Sequence, residues 1–410
     1  MRALASAGVA ALLLLAGPAA PQIGPMDYAA IERGRYLAIV GDCAACHAGS
    51  KGDYAGGRAI ETPFGDIYAA NITPDDDTGI GRWTAEDFAR AMREGKRPPE
   101  EHLYPAFPYP YYTKVSREDV DALYIFLRTV PSVRNEIPAN QLPFPLDVRT
   151  AVAGWNVLFF REGRFDRDPI RSDEWNRGAY LVQGLGHCGA CHTGKNVLGG
   201  DEPGGFMQGG ALQGWFAPDL TSDARTGLGT WSIEETVEYL RTGRNGRSMA
   251  SGPMAEVIEN STSKMTEADL RAMAVYLKDL PGSGAAARAP PAADDASMRA
   301  GAALYRDNCH ACHADGEGVL QMFPALHGSQ VVQQRDAATL VRIVLEGTRA
   351  ATTDAAPTAP SMPSFAWRLS NAQVADLLTY IRNSWGNAGP SVTEDEVRQA
   401  RARVGAKPSQ

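Results

Sequence analysis

All six cysteines of the chain fall in three copies of one short pattern, Cys-x-x-Cys-His: Cys43-Ala44-Ala45-Cys46-His47, Cys188-Gly189-Ala190-Cys191-His192 and Cys309-His310-Ala311-Cys312-His313. Two thiols at this spacing add across the two vinyl groups of one haem, and the imidazole that follows becomes an axial ligand of its iron. Other uses of Cys-x-x-Cys fit less well. A structural zinc site pools two such pairs, or one pair and a separated His pair, around one ion. A thioredoxin-like motif needs a βαβ setting, and a disulfide leaves the repeated His unexplained. The pattern predicts three covalent haems c with His47, His192 and His313 on the irons, and electron movement as the work of the chain.

The opposite face of each iron needs its own ligand, and a thioether from the loop before the last helix is the usual one. Met362, in Ser361-Met362-Pro363, has that position for the third site. The second site offers Met249, Met254 and Met265; Met254 in Gly252-Pro253-Met254 is the favoured reading, whereas Met265 borders a helix and suits the core. The first site lacks the residue: Leu103-Tyr104-Pro105-Ala106-Phe107-Pro108-Tyr109 has Phe107 where Met is expected. His102 is the leading candidate there and Met92 a second, with a five-coordinate iron as the remaining possibility. His187 and His310 abut or lie within the attachment motifs and cannot span the same iron. His327, on the Pro324-Ala325-Leu326 loop, can reach a haem edge or a propionate, and the Pro324 carbonyl is placed to accept the Nδ1–H of His313.

These residues have to be held by helices. Arg33-Gly34-Arg35-Tyr36-Leu37 precedes the first motif and Arg177-Gly178-Ala179-Tyr180-Leu181 the second. Downstream, Asn71-Ile72-Thr73, Thr78-Gly79-Ile80-Gly81 and Trp83 recur as Asp219-Leu220-Thr221, Thr226-Gly227-Leu228-Gly229 and Trp231. Thr84 with Asp87 and Ser232 with Glu235 read as capping boxes for helices over 86–94 and 234–242, which stop at Gly95 and Gly243. Amphipathic helices over 116–128 and 266–280 close the two copies. A shorter third copy has helices over 298–308, 338–346 and 371–383. Crossing first and last helices beside a haem make a class I cytochrome c. The expected fold is therefore all-α: three tandem class I domains with long haem-enclosing loops and no sheet.

The 410 residues divide accordingly. Residues 1–22, one Arg and then an apolar run, read as a secretory signal peptide. Domains are expected at 27–134, 173–281 and 298–388, with a connector at 135–172, a linker at 282–297 and a charged, solvated tail at 389–410. Within the connector, 151–160 is apolar and reads as a helix packed between the first two domains, or as a docking surface. A formal charge of −8 argues against nucleic-acid partners.

The chain resembles the three-haem cytochrome c subunits of bacterial periplasmic, membrane-bound dehydrogenases. The resemblance rests on Asn71-Ile72-Thr73-Pro74, Leu103-Tyr104-Pro105-Ala106, Gly186-His187-Cys188-Gly189-Ala190-Cys191-His192, and Met362-Pro363 with Ser384-Trp385-Gly386. It implies an electron-transfer subunit at the outer face of the inner membrane. Its partner would be a quinoprotein, flavoprotein or molybdopterin dehydrogenase, and its acceptor ubiquinone or a terminal oxidase. Phe107, with Leu142-Pro143-Phe144-Pro145 and Ala153-Gly154-Trp155, looks most like the subunits that serve nicotinate- or isoquinoline-type molybdenum hydroxylases. A free-standing carrier and a multihaem peroxidase or thiosulfate dehydrogenase are the alternatives.

Overall fold

The computed structural model describes residues 25–284, 289–319 and 322–405. The segment read as an export signal lies outside them. The chain forms three helix-paired units. The first contains α1 (Pro25–Val40), α2 (Cys43–His47), the ribbon β1 (Ala59–Thr62) with β2 (Gly65–Tyr68), and α3 (Ala85–Glu94). It continues through β3 (Lys96–Arg97), β4 (Glu101–His102), α4 (Tyr109–Tyr112) and α5 (Arg117–Leu127). After the connector helix α6 (Ala151–Phe159), the second unit has α7 (Asp173–Gln183), α8 (Gly189–His192), β5 (Gln208–Leu212), β6 (Trp215–Asp219), α9 (Ile233–Thr242), α10 (Pro253–Asn260) and α11 (Glu267–Asp279). The third has α12 (Ala296–Asn308), α13 (His310–His313), α14 (Gln330–Gln333), α15 (Ala338–Glu346), β7 (Thr348–Arg349), β8 (Ser361–Met362) and α16 (Asn371–Arg382).

In every unit the first and last helices cross at a glycine. A Cβ on Gly34 would collide with the Ala122 carbonyl, one on Gly178 with that of Ala272, and one on Gly301 with that of Asp376. Close backbone approach, rather than turn geometry, is what these glycines supply. The caps form as the sequence requires: Thr84–Asp87 and Ser232–Glu235 are complete capping boxes, and Gly95 (φ 65°) and Gly243 (φ 77°) end their helices in the left-handed region.

The all-α expectation needs one correction. Four two-stranded antiparallel ribbons, β1–β2, β3–β4, β5–β6 and β7–β8, occur among the described residues. Each lies in a loop that doubles back across a unit, where pairing satisfies backbone groups that packing removes from water. The tail is also not simply solvated. Residues 394–405 form α17 (Glu394–Gly405), which buries Val397 against the third unit while Arg401 donates to Asn371 and to the Ala366 and Leu369 carbonyls.

The first two units share a single hydrophobic core containing Leu37, Val40, Leu123 and Phe126 of one and Leu181, Leu185, Leu270 and Leu277 of the other. A reciprocal polar lock crosses their boundary. Asp119, at the start of α5, accepts from Arg33 of its own unit (2.6 Å) and from the Tyr180 hydroxyl of the other (2.6 Å). Asp269, at the start of α11, accepts from Arg177 (2.8 Å) and from Tyr36 across the boundary (2.6 Å). The hydroxyls accept in turn from the Ser116 amide (3.1 Å) and the Thr266 amide (3.2 Å). The repeated Arg-Gly-x-Tyr block thus has a defined purpose: Arg for its own carboxylate, Gly for the crossing, Tyr for the neighbour. Burial pushes Asp269 up, but Arg177 and Tyr36 outweigh it and hold the carboxyl below its ordinary range.

The third unit has a core of its own. It joins the second through β6, where Thr339 both donates to the Phe216 carbonyl and accepts from its amide. Arg342 stacks on Trp215 at 4.5 Å, and a small apolar contact sets Ala351 against Ala250, Ala255 and Ile258. Helix α6 bridges the first two units. Asn156 accepts from Tyr109 and the Trp155 indole donates to the Leu198 carbonyl (2.9 Å), while Val157 and Leu158 point outward.

Candidate functional site

Each Cys-x-x-Cys-His segment folds as one helical turn following the unit's first helix, which gathers two thiols and an imidazole at one place. The imidazoles are oriented alike. Nδ1 of His47 is 2.7 Å from the Ala70 carbonyl, Nδ1 of His192 is 2.7 Å from that of Pro218, and Nδ1 of His313 is 3.2 Å from that of Pro324. A carbonyl can only accept, so Nδ1 carries the proton and Nε2 is left with its lone pair. Burial lowers the pKa of all three, which keeps them neutral as a metal ligand must be.

Burial also holds the thiols of Cys43, Cys46, Cys188, Cys191 and Cys309 protonated. Cys43 and Cys188 are pushed up to about 12, and Cys309 to about 11. Cys191 rises to about 11, with Cys46 of the other unit adding to the burial and Lys195 opposing it. All six cysteines are free thiols. No three His, Cys, Asp or Glu side chains converge into a metal cage among the described residues. One neutral imidazole with a directed Nε2 beside two thiols fits a covalently attached haem and does not fit zinc.

Sequence reasoning foresaw the Pro324 acceptor but missed Ala70 and Pro218. The signal was available: each stands immediately before the repeated Asn71-Ile72-Thr73 or Asp219-Leu220-Thr221 block.

The loops that follow the middle helices α3, α9 and α15 show two registers. Directly after the helix-ending glycine, Lys96 pairs with His102, Arg244 with Met249 and Thr348 with Met362. By this hairpin register His102, Met249 and Met362 are equivalent. The next residues, Leu103 and Ala250, donate to the Gly95 and Gly243 carbonyls at 2.7 Å each. Counting four residues on from them makes Phe107 and Met254 equivalent. Phe107 and Met254 both pack against the shared core, and Met362 packs against that of the third unit. The His102 imidazole is half-buried, with Nδ1 3.5 Å from the Asn156 amide, while Arg149 donates to its carbonyl. Met92 is buried in the core on α3, and Met265 is likewise core. His327 lies 3.3 Å from Glu317.

The first two sites face each other. Helix α10, which carries Met254, rests on α2 of the first unit. There Arg58 donates to the Ala45 carbonyl (2.6 Å) and pairs with Glu256. In the reverse direction, α4 of the first unit lies on α8: a Cβ on Gly189 would stand 2.8 Å from the Tyr111 ring, whose hydroxyl donates to Asp201 (2.7 Å).

Residues 298–385 match the family described as Cytochrome c. The whole chain is 36% identical to the fructose dehydrogenase cytochrome subunit of Gluconobacter japonicus, covering 98% of this chain and 90% of that one. It is 39% identical to the gluconate 2-dehydrogenase cytochrome c subunit of Pantoea cypripedii, covering 91% and 90%. A nicotinate dehydrogenase subunit of Pseudomonas putida is 41% identical over 90% of this chain, which spans only 32% of that relative's length.

Proposed function

This chain belongs to the family of dehydrogenase cytochrome c subunits, and from that premise we propose that it is the electron-transfer subunit of a dehydrogenase, built as three tandem cytochrome c domains that carry three covalent haems c. The observation that carries this reading is the threefold repetition of one arrangement, a neutral imidazole with Nδ1 held by a backbone carbonyl beside two free thiols. Cys43 and Cys46, Cys188 and Cys191, and Cys309 and Cys312 form the thioether bonds; His47, His192 and His313 direct Nε2 to the irons. When bound, haem iron supplies reversible one-electron chemistry. The chain's part is to orient the ligands, exclude water and hold the centres near one another.

Met362 would hold the sixth position of the third centre and Met254 that of the second. A second reading, Met249, is favoured by the hairpin register it shares with Met362. His102 occupies that same register in the first unit and is the sixth ligand proposed there. Met254→Ala should abolish one thioether-to-iron charge-transfer band, whereas Met249→Ala should leave every such band in place. His102→Ala should open the first centre to carbon monoxide. The opposite outcome in the Met pair moves the assignment to Met249.

Electrons enter from a catalytic subunit of molybdopterin, quinoprotein or flavoprotein type and leave to ubiquinone or a terminal oxidase. The place of action is the periplasm, at the outer face of the inner membrane. No helix among the described residues is long and apolar enough to cross a membrane. Purification from native membranes under mild detergent tests the role. The chain should co-migrate with a dehydrogenase catalytic subunit, and its haems should reduce when that subunit's substrate is added. A chain that migrates alone and stays oxidised is a free-standing carrier instead.

A further inference from the structure

Between the first two attachment segments lies a packed aromatic chain of Phe107, Tyr112 and His187. Tyr112, at the end of α4, is buried. Its ring meets Phe107 edge-on at 5.3 Å on one side and His187 edge-on at 5.5 Å on the other. Phe107 belongs to the loop between β4 and α4 of the first unit. His187 is the residue immediately before Cys188, and its ring is fixed by a 2.9 Å bond from Nδ1 to the Leu185 carbonyl. The backbones meet at the same place: a Cβ on Gly41 would lie 3.1 Å from Leu185 and 3.3 Å from the Cys43 sulfur. Burial pushes the Tyr112 phenol well above its usual range, so the ring is neutral.

The second and third units meet differently. Among the described residues no pair of aromatic rings joins them.

We propose that Tyr112 is the bridging residue of an electron path between the first and second haems, running from Phe107 through Tyr112 to His187 and the Cys188 edge. The inference rests on the electron-transfer reading above. Each transfer moves one electron from a ferrous iron in one unit to a ferric iron in the other; no bond forms or breaks, and Tyr112 is neither oxidised nor deprotonated. Tyr112 acts by position, and the ring matters rather than its hydroxyl.

The test uses the full holoprotein with Tyr112→Phe, Tyr112→Leu and His187→Leu. Three quantities are read: haem adducts by mass spectrometry, the potential of each haem by titration, and the rate of electron equilibration between the first two haems after flash reduction. Tyr112→Phe should keep the unmodified rate. Tyr112→Leu should slow it about tenfold, with adduct count and potentials unchanged. His187→Leu removes the other half of the contact from a half-buried position, and should slow the rate likewise even if Tyr112→Leu fails to fold. Unchanged rates in the Leu variants, or a Phe variant as slow as the Leu variant, would overturn the bridge. Too few haem adducts on the unmodified chain would instead overturn the electron-transfer reading.

Discussion

The first two units and the third use the same scaffold to different ends. In all three, a glycine lets the first and last helices cross in backbone contact. Only the first pair adds the Arg-Asp-Tyr set on either side of that crossing. At the corresponding places the third unit has Ala300, Gln373 and Ala303, and Gln373 caps its own helix by accepting from the Ser370 amide at 2.9 Å. The difference teaches what the extra residues are for. The fold of one unit needs the glycine and the cap, whereas the carboxylate and the tyrosine weld two units into one core with their attachment segments face to face.

The largest effect should come from breaking that weld. Asp119→Ala takes the acceptor from the half-buried Tyr180 hydroxyl and the carboxylate partner from the Arg33 guanidinium. Arg33 is 58% exposed and stays solvated, so the loss is about 2 kcal/mol. Both units should lose stability together in a denaturant titration followed at haem and far-ultraviolet wavelengths. The matched change in the third unit, Gln373→Ala, removes half of a capping box and should cost about 1 kcal/mol at most, confined to that unit. Loss of the first unit alone in Asp119→Ala would separate the pair the structure joins.

A smaller effect belongs to pH. The Asp269 carboxyl is depressed in the folded state, so its contribution is present above the ordinary carboxylate value and is lost as pH falls through the folded one. Burial, with Asp119 beside it, raises Tyr180 from 10.0 to about 12. That contribution is full below pH 10 and disappears as pH rises through about 12. Stability of the pair should therefore be flat around neutrality and fall on both sides. Tyr180→Phe should soften the alkaline fall and leave the acid one, and an unaltered alkaline limb would remove Tyr180 from the weld.

Much of this was legible in the residues. The helices appear within a residue or two of their expected bounds, because caps and glycines are local signals that no distant packing overrides: Thr84, Ser232, Gly95 and Gly243 all act where they stand. The attachment segments were legible because their chemistry is written in consecutive residues. The ribbons were not, since pairs as short as Lys96–Arg97 with Glu101–His102 are too brief for alternation to register. The tail was misread because α17 has a charged exterior and only a thin apolar edge at Val397 and Ala400. The weld was missed for a different reason. Arg33, Tyr36, Arg177 and Tyr180 stood out as a repeat, but Tyr36 and Asp269 are far apart in the chain and only the fold brings them together. Phe107 was visible as a departure, and its partner Tyr112 was not, because an aromatic in a Pro-rich loop carries no spacing signal of its own.

Counting haems on the intact chain tests the central claim most directly. If each Cys pair holds its own cofactor, mass spectrometry of the denatured mature protein should find three haem adducts, and Cys188→Ala with Cys191→Ala should leave two. Fewer than three on the unmodified chain, or three remaining after both cysteines are removed, would contradict the account.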